Sequence, residues 1–187
     1  MGQDKGLMPL LGQPLIARVI AQVSGLADEV FVTTNHPEGY RTLGVPLYLD
    51  VLPDRGALGG LYTALSAARH PLVAVVACDM PFANATILAA ARDRLLESGA
   101  DVAIPKTEAG YEPFHAIYRR ETCLPAVKAA LDSEEQRLIS WFPAVRVIAI
   151  LPGELACLDP HRLAFWNVNT PEDFQQAEGI LKTGLSP

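Results

Sequence analysis

The stretch Val75–Phe82, VVACDMPF, puts a carboxylate where a buried strand runs out. The apolar run Leu72–Cys78 stops at Asp79, and Pro81 has no N–H to carry a ladder further. A lone carboxylate at such a rim suits a hard divalent cation. Mg²⁺ takes one or two carboxylates and fills its octahedron with water and phosphate oxygens. Capping of the next helix accounts for Asp79 equally well. Near the start, Lys5 in GQDKG offers a point charge for a phosphate, set against the ordinary reading of a solvated lysine. DRGALGGLYTAL brings Gly56, Gly59 and Gly60 to a helix start, where free N–H groups and the positive dipole end face anions. A plain glycine-rich turn explains the same residues. In NVNTPEDF, Thr170, Pro171 and Asp173 read as a helix cap. Asn167 and Asn169 alternate, so they face one way, toward a ligand or a metal shell; buried turn asparagines are the alternative. His115 in EPFHAIY lies on a strand, where a histidine is more often polar lining or structural than a catalytic base.

These residues need a frame. Short apolar, β-branched segments recur at Val30–Thr34, Val45–Leu49, Leu72–Cys78, Val102–Ile104, Phe114–Tyr118 and Val145–Leu151. Several are continuous apolar runs, as strands covered on both faces are. Between them lie helically spaced segments: one with Leu15, Ile16, Val19, Ile20 and Val23 on a single face, one with Leu58, Leu61, Leu65 and Ala68, then Thr86–Leu96, Thr122–Leu131, and a last helix from Pro171. This alternation predicts an α/β fold: a mainly parallel, mixed sheet with helices on both faces, three layers in one domain over 1–187. Ligands of such sheets bind outside the carboxyl ends of the strands. Asn35, Asp50 and Asp79 directly follow three of the apolar segments. Lys106–Glu112, KTEAGYE, reads as a polar loop suited to a binding edge or a plain surface connection.

The chain has 187 residues, half of them hydrophobic, and a formal net charge of −6. The acidic balance argues against a nucleic-acid surface, which needs a basic patch. The three cysteines, Cys78, Cys123 and Cys157, are spaced for neither a metal site nor a disulfide framework. No signal-type apolar region and no spanning-length run occurs, so the expectation is a cytoplasmic protein without a membrane partner.

Taken in order, MGQDKGLMPLLGQPL, GALGGL, CDMPF, EPFHAIY and NVNTPEDF resemble the MobA family of molybdenum cofactor guanylyltransferases, from Met1 to about Leu181. The resemblance implies a Rossmann-like nucleotidyltransferase that joins GMP from MgGTP to molybdopterin or its molybdenum form and releases pyrophosphate. It implies that Lys5 contacts the nucleotide phosphates and stabilises charge at the α-phosphorus, and that Asp79 holds Mg²⁺. Asn35, Asp50, Gly59 and Gly60 are implied in the nucleotide pocket. Asn167, Asn169 and His115 are implied on the pterin side or behind the metal. Molybdoenzymes or cofactor-maturation proteins are the implied macromolecular partners. A cytidylyltransferase, or a sugar- or polyol-phosphate nucleotidyltransferase of the same fold, is the alternative enzyme. A remnant that binds pterin or a partner without catalysis is the alternative outside enzymology.

The resemblance has two departures. The family loop G-P-L-A-G is here Gly56-Ala57-Leu58-Gly59-Gly60, and the opening strand with its L-A-G-G loop has no counterpart ahead of Met1. The first strand of a doubly wound sheet is central. Its loss predicts two neighbouring strands with unpaired backbone, answered by a substitute strand, a water-filled gap or closure of the sheet. The expectation is that Met1 is an internal methionine of a longer protein.

Overall fold

The computed structural model describes residues 4–135 and 137–184, so Met1, Gly2 and Gln3 of the opening signature lie outside it. A short hairpin comes first: β1 (Pro9–Leu10) and β2 (Gln13–Pro14) pair antiparallel around Leu11 and Gly12, both at positive φ. That backbone matches the twist of the strands it joins. α1 (Leu15–Val23) buries Leu15, Ile16 and Val19, the face its apolar spacing dictates. β3 (Val32–Thr33) and β4 (Leu47–Tyr48) then pair parallel. α2 (Gly56–Ala67) leads to β5 (Leu72–Val76), and α3 (Ala85–Ser98) to β6 (Val102–Thr107). β7 (Gly110–Tyr111) folds back on the end of β6, and β8 (His115–Arg119) runs into α4 (Arg120–Asp132). β9 (Val147–Ile150), α5 (Pro152–Leu158) and α6 (Pro171–Lys182) complete the order.

β8 pairs antiparallel with both β5 and β6, and β9 pairs parallel with the other side of β6. β5, β6 and β9 therefore share one direction and β8 opposes them, which makes the sheet mixed. Alternation along the strands sends side chains to two faces. Val73, Val102, Ile104, Ala116 and Tyr118 pack with Leu58, Leu61, Leu65, Val127 and Leu131 of α2 and α4. Ala103, Ile117 and Ile150 pack on the other face with Ile87, Leu88, Ala91, Leu95 and Leu155 of α3 and α5. These are the three layers the alternation predicts.

Two differences from the sequence pattern have clear causes. The Val30–Thr34 and Val45–Leu49 segments shorten to two paired residues each, because each strand has a partner on one side only. The periodicity did not mark α5, whose seven residues span barely two turns and bury only Leu155.

Among the described residues, β3 and β5 do not pair. They nevertheless lie side by side. At their starts, Arg69 N–H and Nε donate to the Glu29 carboxylate at 3.1 and 2.6 Å. At their ends, Tyr40 Oη donates to Asp4 at 2.6 Å, and Gly6 lies against Cys78. The two strands thus run the same way, with a cavity of about 730 Å³ between them. Ala74, in the middle of β5, is exposed, although it belongs to an apolar run between two helical layers.

Candidate active site

The candidate site lies at the carboxyl ends of β3, β4 and β5. Lys5 enters it on a single 3-10 turn, Lys5–Leu7, capped by Asp4. The Asp4 carboxylate accepts from Gly6 N–H at 3.1 Å and from Tyr40 Oη at 2.6 Å. Burial, then the Asp4 carboxylate, pushes the Tyr40 hydroxyl far above its ordinary range, so it stays a donor. Residue 6 must be glycine here: a Cβ would lie 2.7 Å from Tyr40 Oη. Asp4 therefore acts as the anchor of the turn, which leaves Lys5 to point outward. Lys5 Nζ donates to Asn169 Oδ1 at 2.6 Å.

Asn169 is fixed in turn by the helix behind it. Asp173 accepts from the N–H groups of Asn169 and Thr170 at 2.9 and 2.8 Å, and Thr170 Oγ1 accepts from Asp173 N–H at 3.1 Å. This is the capping box that the sequence predicts. Those N–H groups hold the Asp173 carboxyl below its usual value. Asn169 Nδ2 reaches back to Asn167 O at 3.5 Å.

Asp79 follows β5 directly, and its carbonyl accepts from Val168 N–H at 2.9 Å. That bond ties the Asn167–Asn169 segment to the end of β5. Burial raises the Asp79 carboxyl above the ordinary range, opposed by its own backbone N–H and by the nearby Lys5 charge. Among the described residues no other residue donates to its side chain, so carboxylate oxygen remains available. Those residues also contain no group of three or more acidic, histidine or cysteine side chains able to hold a metal. One free, half-buried carboxylate fits a cation whose remaining ligands are water and substrate phosphate, and does not fit an all-protein cage.

Asn35 and Asp50 form a reciprocal pair at the ends of β3 and β4. Asn35 Nδ2 donates to Asp50 Oδ2 at 2.7 Å, and Asp50 N–H donates to Asn35 Oδ1 at 3.2 Å. Gly59 and Gly60 sit inside the first turns of α2, and Gly59 N–H already donates to Arg55 O at 3.1 Å. The free amides of that helix are those of Gly56, Ala57 and Leu58. A Cβ on Gly59 would lie 2.7 Å from Arg55 Cβ, whereas one on Gly60 would meet open space.

His115 does not join the rim. It is fully buried, with Nε2 accepting from Asn84 N–H at 2.9 Å and its ring edge-on to Phe165. Burial lowers it to about 4, so it is a neutral structural group at pH 7. Arg119 and Arg120 are likewise spent on backbone carbonyls, of Ala100 and Leu65.

A second cavity, of about 420 Å³, was not legible in the sequence except through KTEAGYE. Thr107 and Glu112, at the ends of that hairpin, line it with Asp159, Arg162, Phe165 and Trp166. Thr107 Oγ1 donates to Glu112 at 3.0 Å, and burial raises the Glu112 carboxyl. Trp166 is the residue before Asn167, and it stacks on Phe82 with ring centroids 5.8 Å apart.

Residues 1–147 match the family model described as a MobA-like NTP transferase domain. A molybdenum cofactor guanylyltransferase of Desulfosudis oleivorans is 30% identical over 98% of this chain and 90% of its own length. A probable molybdenum cofactor guanylyltransferase of Pelotomaculum thermopropionicum is 33% identical over 95% of this chain and 85% of its own. The crystal structure of molybdopterin-guanine dinucleotide biosynthesis protein A from Archaeoglobus fulgidus superposes with a TM-score of 0.83. It covers 97% of this chain and 92% of its own at 23% identity, a likeness of fold. No helix among the described residues is long and apolar enough to cross a membrane. The chain belongs to the MobA-like NTP transferase family.

Proposed function

We propose that this chain transfers GMP from GTP to the terminal phosphate of molybdopterin or its molybdenum form, releasing pyrophosphate, in the cytoplasm. The observation that carries the reading is the meeting of Lys5, Asp79 and the Asn167–Asn169 segment at one strand rim, in a chain whose curated relatives bear the guanylyltransferase name.

The reaction needs no protein nucleophile. An acceptor phosphate oxygen forms a bond to the α-phosphorus while the bond to the β-phosphate oxygen breaks, and pyrophosphate leaves with the electron pair. Catalysis is then positioning and neutralisation of charge. Lys5, aimed by its capped turn and by Asn169, meets the charge developing on the phosphates. The Asn35–Asp50 pair lies at the nucleotide end of the rim, and the free amides of α2 face the same anion. The acceptor is assigned to the Glu112–Trp166 cavity, because Trp166 lines it and leads directly into Asn167. Asp79 would hold Mg²⁺, which bound there supplies Lewis-acid neutralisation of the triphosphate.

The test is pyrophosphate release with molybdopterin and each of GTP, CTP, ATP and UTP. Release with GTP above the others is expected. Preference for CTP would keep the fold and site and replace the base assignment.

A further inference from the structure

We propose that Glu112 selects the acceptor: its carboxylate takes the 2-amino and N3–H groups of a pterin ring that lies against Phe165 and Trp166. This assignment rests on the acceptor reading given above for the same cavity. The chemistry recognised is a 2-aminopyrimidin-4-one edge, which pterin and guanine both carry.

The cavity, of about 420 Å³, has the size of a small-molecule site. Of the acids that line it, Glu112 alone is both held in place and available. Asp159 is buried and turned to the chain, where its oxygens accept from Leu163 and Ala164 N–H at 3.1 and 2.9 Å. Glu108 is exposed at the hairpin tip, where water and salt screen it. Glu112 is half-buried, and its backbone is fixed on both sides. Its N–H donates to Pro105 O and its carbonyl accepts from His115 N–H, each at 3.0 Å. Among the described residues only Thr107 Oγ1 donates to its carboxylate. A carboxylate accepts about four such bonds, so two parallel donors on a ring edge find room there. Burial already raises this carboxyl, and N–H groups that meet the ionised form offset that cost.

The remaining walls suit a flat, polar-edged ring. Phe82 stacks on one side of the Trp166 indole and does not line the cavity, so Trp166 offers the cavity the part that Phe82 leaves uncovered. Phe165 is braced edge-on by the buried His115 ring. Both aromatics sit on a loop closed by Arg162 N–H to Asp159 O and by Trp166 N–H to Leu163 O, each at 3.0 Å. The closure holds Arg162 at φ +55°, a conformation that long side chains rarely adopt. Its guanidinium lines the cavity and makes no hydrogen bond or ion pair among the described residues. A pterin has donors at C2 and N3 and an acceptor at O4. Glu112 and Arg162 supply the complementary pair.

The experiment uses the full chain and two free probes, pterin and lumazine, which carry an amino and an oxo group at C2. Binding is read by calorimetry. The unaltered protein is expected to bind pterin about ten- to a hundredfold more tightly, the effect of one unmade bond to a charged group. Glu112→Gln keeps the shape and the Thr107 bond, and its amide can donate to a 2-oxo group. It is expected to erase the preference while retaining lumazine affinity, which an unfolded variant would not show. Glu108→Gln is expected to keep the preference. In turnover, Glu112→Gln should raise KM for molybdopterin about tenfold and leave KM for GTP as it was. Equal binding of the two probes by the unaltered protein, or binding of neither, overturns the proposal. So does a preference that survives Glu112→Gln or disappears in Glu108→Gln. A rise in KM for GTP in place of molybdopterin overturns it in favour of guanine in this cavity. A Glu112-dependent preference for pterin, in a protein that releases no pyrophosphate from GTP, upholds the proposal and overturns the guanylyl-transfer reading alone.

Discussion

Lys5 Nζ donates a 2.6 Å hydrogen bond to Asn169 Oδ1, across 164 positions of sequence. The bond brings the first turn of the chain to the entrance of its last helix. It also orients the ammonium group in advance. Among the described residues Lys5 makes no ion pair, so the positive charge is left for an incoming anion.

Lys5→Met is expected to lower kcat by about 10²- to 10³-fold, the usual cost of removing one oriented donor at developing charge. Lys5→Arg restores little, because a planar fork does not replace a point charge at this site. Single-turnover release of pyrophosphate measures both. An unchanged kcat would remove Lys5 from the chemistry.

Asp79→Asn is expected to act in opposite directions on activity and stability. Turnover falls about 10²-fold or more as the metal contact is lost. Stability rises at neutral pH, because the folded carboxyl sits above its unfolded value. The native state then binds its proton more tightly than the unfolded chain, so stability is lost as pH rises through the folded pKa. Thermal melts of both proteins across the acid range test the sign. The gain shrinks on acidification, and a lower Tm for the variant at pH 7 refutes the account.

His115 has the reverse sign. Its folded value of about 4 lies below the unfolded 6.5, so the unfolded chain takes up the proton first as pH falls. The stability at stake is fully present above the unfolded value and is lost down to the folded one, about 3 kcal/mol in all. His115→Gln keeps an acceptor for Asn84 N–H and is expected to flatten the pH 4 to 6.5 limb of urea midpoints. A limb of unchanged slope would assign the acid sensitivity to another group.

Thr170→Ala breaks the capping box behind Asn169. It is expected to cost about 1 kcal/mol in denaturant unfolding. Because Asn169 N–H belongs to the same cap, kcat should fall severalfold while Thr170→Ser retains it. Loss of stability with no change in kcat would confine Thr170 to the helix.

Much of this fold is legible in the sequence because burial on both faces leaves unbroken apolar runs. Leu72–Cys78 is one, and Asp79 at its end is found by the same reasoning. The direction of β8 is not legible: His115–Arg119 has the composition of any buried strand, and only its register against β5 and β6 shows it running backwards. Asn167 and Asn169 were separable from the cap by alternation alone. The burial of His115 is not legible, because one strand residue in two faces the core and one sequence does not say which. The sequence brings Gly56, Gly59 and Gly60 to a helix start without fixing its first residue; the helix begins at Gly56 and takes up the Gly59 amide. Glu112 and Trp166 line one cavity across 54 positions, through packing that no local pattern encodes.

The bond from Val168 N–H to the Asp79 carbonyl fixes an order of events during synthesis. The strands β5, β6, β8 and β9 are all present once Ile150 has left the ribosome, so the sheet can form early. The rim is still without Asn167 and Asn169 at that point, and Lys5 has nothing to grip. A message broken after Ile150 would yield a chain with its sheet strands in place and its active site without the Asn167–Asn169 segment.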